Sequence, residues 1–134
     1  MMATRAVIAG IVVLTAGLAA AALLGLNDQT TSPDRAVERF VLAAAHRDTG
    51  MMLEITHSSV AGSDGLQERY GQLSSWIEGC GGLTQLATTE YRVRRNEVAE
   101  ATIHVGFQRC AEDRVTFALR RDEAYWRVLG MVAR

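Results

Sequence analysis

The spacing of apolar residues changes from helical to strand-like near Leu83, and this change limits the folds open to the chain. Before it, apolar residues recur every three or four positions, as along one helix face: Val37, Phe40, Val41 and Ala44. After it, apolar and polar residues alternate, and one face of the clearest strand is Ala99, Ala101, Ile103, Val105 and Phe107. Helices grouped ahead of antiparallel strands predict an α+β fold with the helices on one face of the sheet.

Three helices are predicted ahead of the sheet. The first begins at Ser32, which suits the N-cap, with Pro33 as its first helical residue, and it ends near residue 46. The second is short, covers residues 51–55, and has Asp48 or Thr49 as its cap. Residues 58–65 are predicted to form a loop, and the third helix covers residues 66–79.

About four strands follow the helices. The stretch 88–95 alternates with Tyr91 and Val93 on one side and Arg92 and Arg94 on the other. Strands are also predicted at 98–109, 114–121 and 124–133. The turns between them are short, so neighbouring strands are expected to be antiparallel.

The first 26 residues are unlike the rest, because residues 6–26 contain no charged side chain. A helix of this length spans about 30 Å, which is the thickness of a bilayer core. Two interpretations remain open: an uncleaved membrane anchor, or a secretory signal cleaved at the small residues 20–22. In both, residues 27–32 form a linker and residues 33–134 form a domain outside the cytoplasm. With the anchor, Arg5 stays on the cytoplasmic side.

The expected partners follow from this segment and from the charge. The anchor would contact membrane lipid, and its small residues share one helical face through which copies could associate. Those residues are Ala6, Gly10, Gly17, Ala21 and Gly25, although an alanine-rich segment also produces this pattern by chance. The formal net charge of −1 gives no reason to expect nucleic acid.

The two cysteines, Cys80 and Cys110, are predicted to form a disulfide. Outside the cytoplasm two cysteines in one domain are more often paired than free, and no C-x-x-C spacing indicates a redox site. The glycines around Cys80, at positions 79, 81 and 82, would let the backbone turn sharply after the third helix.

The order of elements resembles the nuclear-transport-factor-two-like (cystatin-like cone) superfamily, and in particular its small exported bacterial domains. The stretch SPDRAVERFVLAAAHRDTGMMLEI is similar to the opening helices of that superfamily, and EAYWRVLGM is similar to its closing strand. The resemblance covers residues 32–131 and implies a cone of helices and curved sheet, often with an apolar pocket. The membrane segment also resembles those of membrane proteins associated with mammalian-cell entry and of a type IV secretion subunit, which work in assemblies.

Within such a cone, five aromatic residues are the candidates for lining a pocket: Tyr70, Trp76, Phe107, Phe117 and Trp126. Tyr91 is interpreted, with the other aromatic residues, as part of the core. Enzymatic relatives place carboxylates, Tyr or Arg inside the cone, whereas the inward positions of the two clearest strands contain no acid. No catalytic residue and no cofactor are therefore predicted.

Arginines gather on the first predicted strand and on the later ones, and if those strands pair they could form a basic sheet face for an acidic partner or lipid head groups. The candidates are Arg92, Arg94, Arg120 and Arg127. A solvated face is the simpler interpretation, because acidic residues are interleaved with them. His46, His57 and His104 lack the spacing of metal ligands, so no metal site is predicted.

The sequence thus favours a membrane-anchored, non-enzymatic domain outside the cytoplasm that serves binding or assembly. Two alternatives stay open. One is a small-molecule enzyme or carrier that uses an apolar pocket, and the other is a subunit of an export, secretion or conjugation complex.

Overall fold

The structure, a computed structural model, describes residues 31–133, where four helices precede a four-stranded sheet. The helices are α1 (Pro33–Ala45), α2 (Thr49–Glu54), α3 (Ser58–Ala61) and α4 (Leu66–Gly79). The strands are β1 (Leu83–Val93), β2 (Val98–Phe107), β3 (Asp113–Asp122) and β4 (Tyr125–Ala133). The α+β class and the antiparallel sheet of four strands confirm the prediction.

The predicted membrane segment, residues 6–26, lies outside the described residues. Within residues 31–133, no helix is both long enough and apolar enough to cross a membrane.

Helix α1 begins as its sequence indicates, with Pro33 at its first position and Asp34 in the first turn. Ser32 occupies the N-cap in an extended conformation, but its side chain makes no capping hydrogen bond. The helix start therefore depends on the proline and on the acidic residue near the positive end of the helix dipole. The fully buried face of α1 includes Val37 and Phe40.

The segment after α1 confirms one local prediction and corrects another. The side chain of Asp48 accepts a hydrogen bond of 3.0 Å from the N–H of Met51 and so caps α2. The predicted loop at 58–65 instead contains helix α3, a single turn capped by the His57 ring, which accepts from the N–H of Ser59. Four residues are too few to display a helical period, so composition alone suggested a loop.

The sheet has the order β1-β2-β3-β4, and the helices cover one of its faces, here called the inner face. The inner positions of β2 and β3 are buried: Ala99, Ala101, Ile103, Val105, Phe107, Val115, Phe117 and Leu119. The other face, here called the outer face, is more polar. There the hydroxyls of Thr102 and Thr116 lie 2.8 Å apart across the β2–β3 pair.

Strand β1 departs from simple alternation. A register shift falls between Thr88 and Glu90, and three consecutive residues, Leu86, Ala87 and Thr88, are buried. Beyond that shift the prediction that Tyr91 belongs to the core is wrong, because 46% of its surface is exposed. Tyr91 has the inward phase, opposite Ala101, but it lies on an edge strand where the helices no longer cover the sheet.

The predicted disulfide is present and joins the end of α4 to the turn between β2 and β3. The Cα atoms of Cys80 and Cys110 are 5.1 Å apart. Gly81 and Gly82 have φ angles of 86° and 91°, which favour glycine, so these two make the turn that was expected of three glycines. Gly79 is the last residue of α4 and does not have a positive φ.

Candidate ligand-binding cavity

A cavity of about 440 Å³ opens between helix α4 and the second half of strand β4. Its volume lies within the range of about 300–1,000 Å³ that is typical of small-molecule sites. Most of the lining side chains are apolar, and the residues are Phe40, Leu66, Arg69, Tyr70, Gln72, Leu73, Trp76, Phe117, Val128, Leu129, Gly130 and Met131. The site therefore offers shape and apolar surface first, with a few polar groups to orient a ligand.

Three aromatic rings from three elements form the inner wall. The ring of Phe40 on α1 meets the ring of Tyr70 on α4 edge to face, with centroids 5.1 Å apart. It meets the ring of Phe117 on β3 in the same way, at 5.6 Å. Such pairs add stability beyond the burial of their area, so the wall is fixed before a ligand arrives.

The hydroxyl of Tyr70 is held by a chain of buried hydrogen bonds. The Thr56 hydroxyl donates to the carbonyl of Met52 at 2.7 Å, and the oxygens of Thr56 and Tyr70 lie 2.6 Å apart. Because the single proton of Thr56 is already used, the Tyr70 hydroxyl donates to Thr56. Burial raises the pKa of Tyr70, while the side-chain hydrogen bond with Thr56 and the charge of Arg69 act in the opposite direction. Tyr70 is therefore a neutral part of the wall at physiological pH.

The polar groups at the cavity that face solvent are Arg69 and Gln72 on α4. Both residues are exposed, and the guanidinium of Arg69 donates to the carbonyl of Asp64 at 3.4 Å. A guanidinium at the rim of an apolar cavity suits an anionic or hydrogen-bond-accepting group of a ligand.

Of the five aromatic residues predicted to line a pocket, the structure brings Tyr70, Trp76 and Phe117 to the cavity. Phe107 lies behind it, two strands away from β4, with its ring 4.9 Å from that of Trp76. Trp126 is buried at the start of β4, whereas the cavity is lined by the later residues 128–131 of that strand. The guanidinium of Arg121 lies 6.0 Å from the Trp126 ring centre.

Several lining residues were not among the predicted ones, namely Phe40, Leu66, Arg69, Leu73 and Met131. Leu66, Tyr70 and Leu73 share one face of α4, so the helical period that located this helix also held the signal for them. No comparable sequence pattern indicates Met131, since its place at the cavity depends on where α4 meets β4.

Of the four arginines of the predicted basic face, Arg92, Arg120 and Arg127 lie on the outer face of the sheet, whereas Arg94 follows the end of β1. Two of the four are engaged locally. Arg94 pairs with Glu100 at 3.5 Å. Arg127 donates to the carbonyl of Glu54, and its guanidinium lies 5.6 Å from the Tyr125 ring centre. Arg92 lies opposite Glu100 in the β1–β2 register, so acidic and basic residues share this face. Arg120 lies opposite Arg127 in the β3–β4 register.

The histidines are separated in the structure. His46 ends α1, His57 caps α3, and His104 on the outer face lies 3.1 Å from Glu112. Within residues 31–133, no group of three or more His, Cys, Asp and Glu side chains is arranged to hold a metal ion.

Comparison with solved structures identifies proteins of similar fold. A protein from Campylobacter jejuni described as an NTF2-like transpeptidase superimposes with a TM-score of 0.57, over 67% of this chain and 90% of that chain. The two sequences are 17% identical, so the similarity concerns the fold. The fold is NTF2-like.

A second protein of similar shape is RPA3114 from Rhodopseudomonas palustris, which contains a SEC-C motif. Its TM-score is 0.59 at 13% identity, over 82% of this chain and 87% of that chain. No family model matches the sequence, and no curated protein matches it.

Proposed function

We propose that this chain is a membrane-anchored binding domain outside the cytoplasm, and that its NTF2-like cavity holds a small apolar molecule with an anionic or accepting group. The observation that supports this most is the composition of the cavity. An aromatic and aliphatic wall surrounds about 440 Å³, and the guanidinium of Arg69 stands at the rim. This arrangement suits an amphiphile whose chain enters the cavity and whose head group meets Arg69.

The same lining favours binding over acyl transfer, the chemistry that the word transpeptidase denotes for the Campylobacter jejuni protein. Acyl transfer requires a nucleophile and a base that activates it. The described polar groups at the cavity are a guanidinium, a primary amide and a phenol whose proton is donated to Thr56. A phenol held in this way with a raised pKa is a poor nucleophile.

The location outside the cytoplasm is supported by two independent features. Residues 6–26 are long and apolar enough for a membrane segment. The domain after it contains a disulfide between Cys80 and Cys110, and such bonds persist mainly in oxidising compartments.

The test uses the full chain in detergent micelles and two fluorescent probes with the same apolar chain, dansylaminoundecanoic acid and its neutral methyl ester. We expect saturable binding of the acid. Replacing the half-exposed Met131 by Trp fills the mouth of the cavity and should weaken binding of both probes at least tenfold. Replacing Arg69 by Gln should weaken binding of the acid about tenfold and leave the ester within threefold.

The matched control is Val132→Trp. Val132 is the next residue of β4, its exposure is similar (54% against 46% for Met131), and it does not line the cavity. Its affinity for both probes should equal that of the wild type. Equal loss in the Met131 and Val132 variants, or no saturable binding by the wild type at probe concentrations up to about 100 µM, would refute the proposed site.

A further inference from the structure

Strand β1 forms one edge of the sheet, and helix α1 reaches that edge near the middle of the strand, at Thr88. Glu38 on α1 reaches this edge, where its Oε2 accepts from the N–H of Thr88 at 3.3 Å and from the Thr88 hydroxyl at 2.7 Å. Residues 90–93 continue the strand beyond that contact, and their side chains are exposed. An edge of this kind presents backbone groups that another strand can use.

The backbone of Tyr91 and Val93 is directed away from β2. The N–H of Arg94, the residue after β1, donates to the carbonyl of Val98 at 2.6 Å, so the Arg94 N–H is directed toward β2. Hydrogen-bonded and non-hydrogen-bonded pairs alternate along an antiparallel ladder. Counting back from Arg94, Tyr91 and Val93 therefore form non-hydrogen-bonded pairs with Ala101 and Ala99. The N–H and C=O groups of Tyr91 and Val93 point away from β2, outward from the edge.

The side chains on this stretch combine exposed apolar surface with two opposite charges. On the inner face, Tyr91 and Val93 are 46% and 53% exposed. On the outer face, Glu90 and Arg92 follow each other two positions apart. Edges that are protected against pairing usually present charges that repel an approaching copy, whereas Glu90 and Arg92 have opposite signs.

We propose that β1 is a self-association edge, and that it pairs antiparallel with β1 of a second copy about a twofold axis at Tyr91. In this register Glu90 of each copy faces Arg92 of the other, which creates two opposite-charge pairs by symmetry. Tyr91 faces its own equivalent as a hydrogen-bonded pair, with its outward N–H and C=O groups satisfied. Two four-stranded sheets then join into one sheet of eight.

The neighbouring registers that keep the inner faces on one side are disfavoured by charge. An axis at Arg92 places two arginines directly opposite each other, and an axis at Glu90 does the same with two glutamates. Like charges directly opposite each other destabilise a strand pair. The charge pattern therefore selects the occupant, a second copy of this chain, and also selects its register.

The experiment is a charge exchange in the full chain, with self-association measured by sedimentation equilibrium in detergent micelles. We expect a weak wild-type dimer, because pairing of a few residues on each side buries little area. Glu90→Arg and Arg92→Glu should each weaken dimerisation about tenfold, since each places like charges opposite each other twice. The double variant, with the charges exchanged, should return to within threefold of the wild type.

A mixture of the two single variants gives a second readout. One variant has two basic residues at these positions and the other has two acidic ones, so the mixture should form heterodimers more strongly than either variant forms homodimers. A wild type that is monomeric up to about 1 mM, single variants that dimerise like the wild type, or a double variant that stays weak would each overturn the proposal. If the single variants dimerise like the wild type, the dimer contact lies elsewhere, for instance at the membrane segment.

Cross-linking tests the register directly. The Cα atoms of a directly opposed, hydrogen-bonded pair lie about 5.5 Å apart, within the range that a disulfide spans. Tyr91→Cys should therefore give a covalent dimer on non-reducing gels. Val132→Cys, similarly exposed on the opposite edge strand, is the control and should stay monomeric. Equal cross-linking of both variants would contradict the assigned edge.

Discussion

Glu38 is the acidic side chain that fastens α1 to the edge of the sheet. Its carboxylate accepts two hydrogen bonds from Thr88, one from the backbone N–H at 3.3 Å and one from the hydroxyl at 2.7 Å. Burial raises the pKa of Glu38, the hydrogen bonds from Thr88 lower it, and the net direction is upward. This role could not be predicted from the sequence, because Thr88 lies 50 positions away and the contact depends on how α1 crosses the strand.

A raised pKa fixes the direction of a pH effect on stability. Below about 4.5, the ordinary value for Glu, the carboxyl is protonated in both the folded and the unfolded chain. As the pH rises above that value the unfolded chain loses its proton first, so the free energy of unfolding falls. We therefore expect the stability of the wild type to decline relative to Glu38→Gln between about pH 4 and pH 7.

Urea denaturation at several pH values measures this difference. The exposed Glu68 provides the control, because Glu68→Gln also removes one carboxylate from a helix but touches no buried partner. The free energy of unfolding of the wild type should fall more with pH relative to Glu38→Gln than relative to this control. A difference between wild type and Glu38→Gln that stays flat, or that grows with pH, would show that the carboxylate is not destabilised by burial.

At the scale of the elements, the disulfide joins the end of α4 to the β2–β3 turn. Its sequence separation is 30 residues. Closing a loop of this length is expected to stabilise the fold by about 3–4 kcal/mol through the unfolded state. Cys80→Ala with Cys110→Ala should lower the free energy of unfolding by that amount, as measured by urea denaturation.

Reduction of the wild type provides an independent check on this value, since it breaks the same bond without changing the side-chain volume. The reduced wild type and the double variant should lose similar stability. A loss below about 1 kcal/mol in both would mean that the bond contributes little to this fold.

The elements also show where sequence patterns succeed and fail. The period of three and four located α1 and α4, and strict alternation located β2 and β3, because one face of each is buried along its whole length. Strand β1 was harder to interpret, since a register shift follows Thr88 and the inner face beyond it is open. Helix α3 was missed because a single turn has no period.

At the scale of the whole molecule, the fold class and the disulfide were predictable, and the cavity was predictable in part. The order of helices and strands sets the class, and the compartment expected from residues 6–26 indicated the cysteine pair. The cavity depends on the gap between α4 and β4, which Phe40, Tyr70 and Phe117 set by packing across three elements. Only the aromatic part of that wall could be inferred from residue type.

The proposed function depends most on the location of the domain outside the cytoplasm. The direct measurement combines two readouts on the intact chain in bacterial cells. Protease is added to cells whose outer layers have been opened, and thiols are alkylated before lysis and analysed by mass spectrometry. If the domain lies outside the cytoplasm, the protease digests residues 33–134, and Cys80 and Cys110 are joined and unalkylated. A domain that is digested only after the membrane is dissolved, with both thiols alkylated, would contradict it.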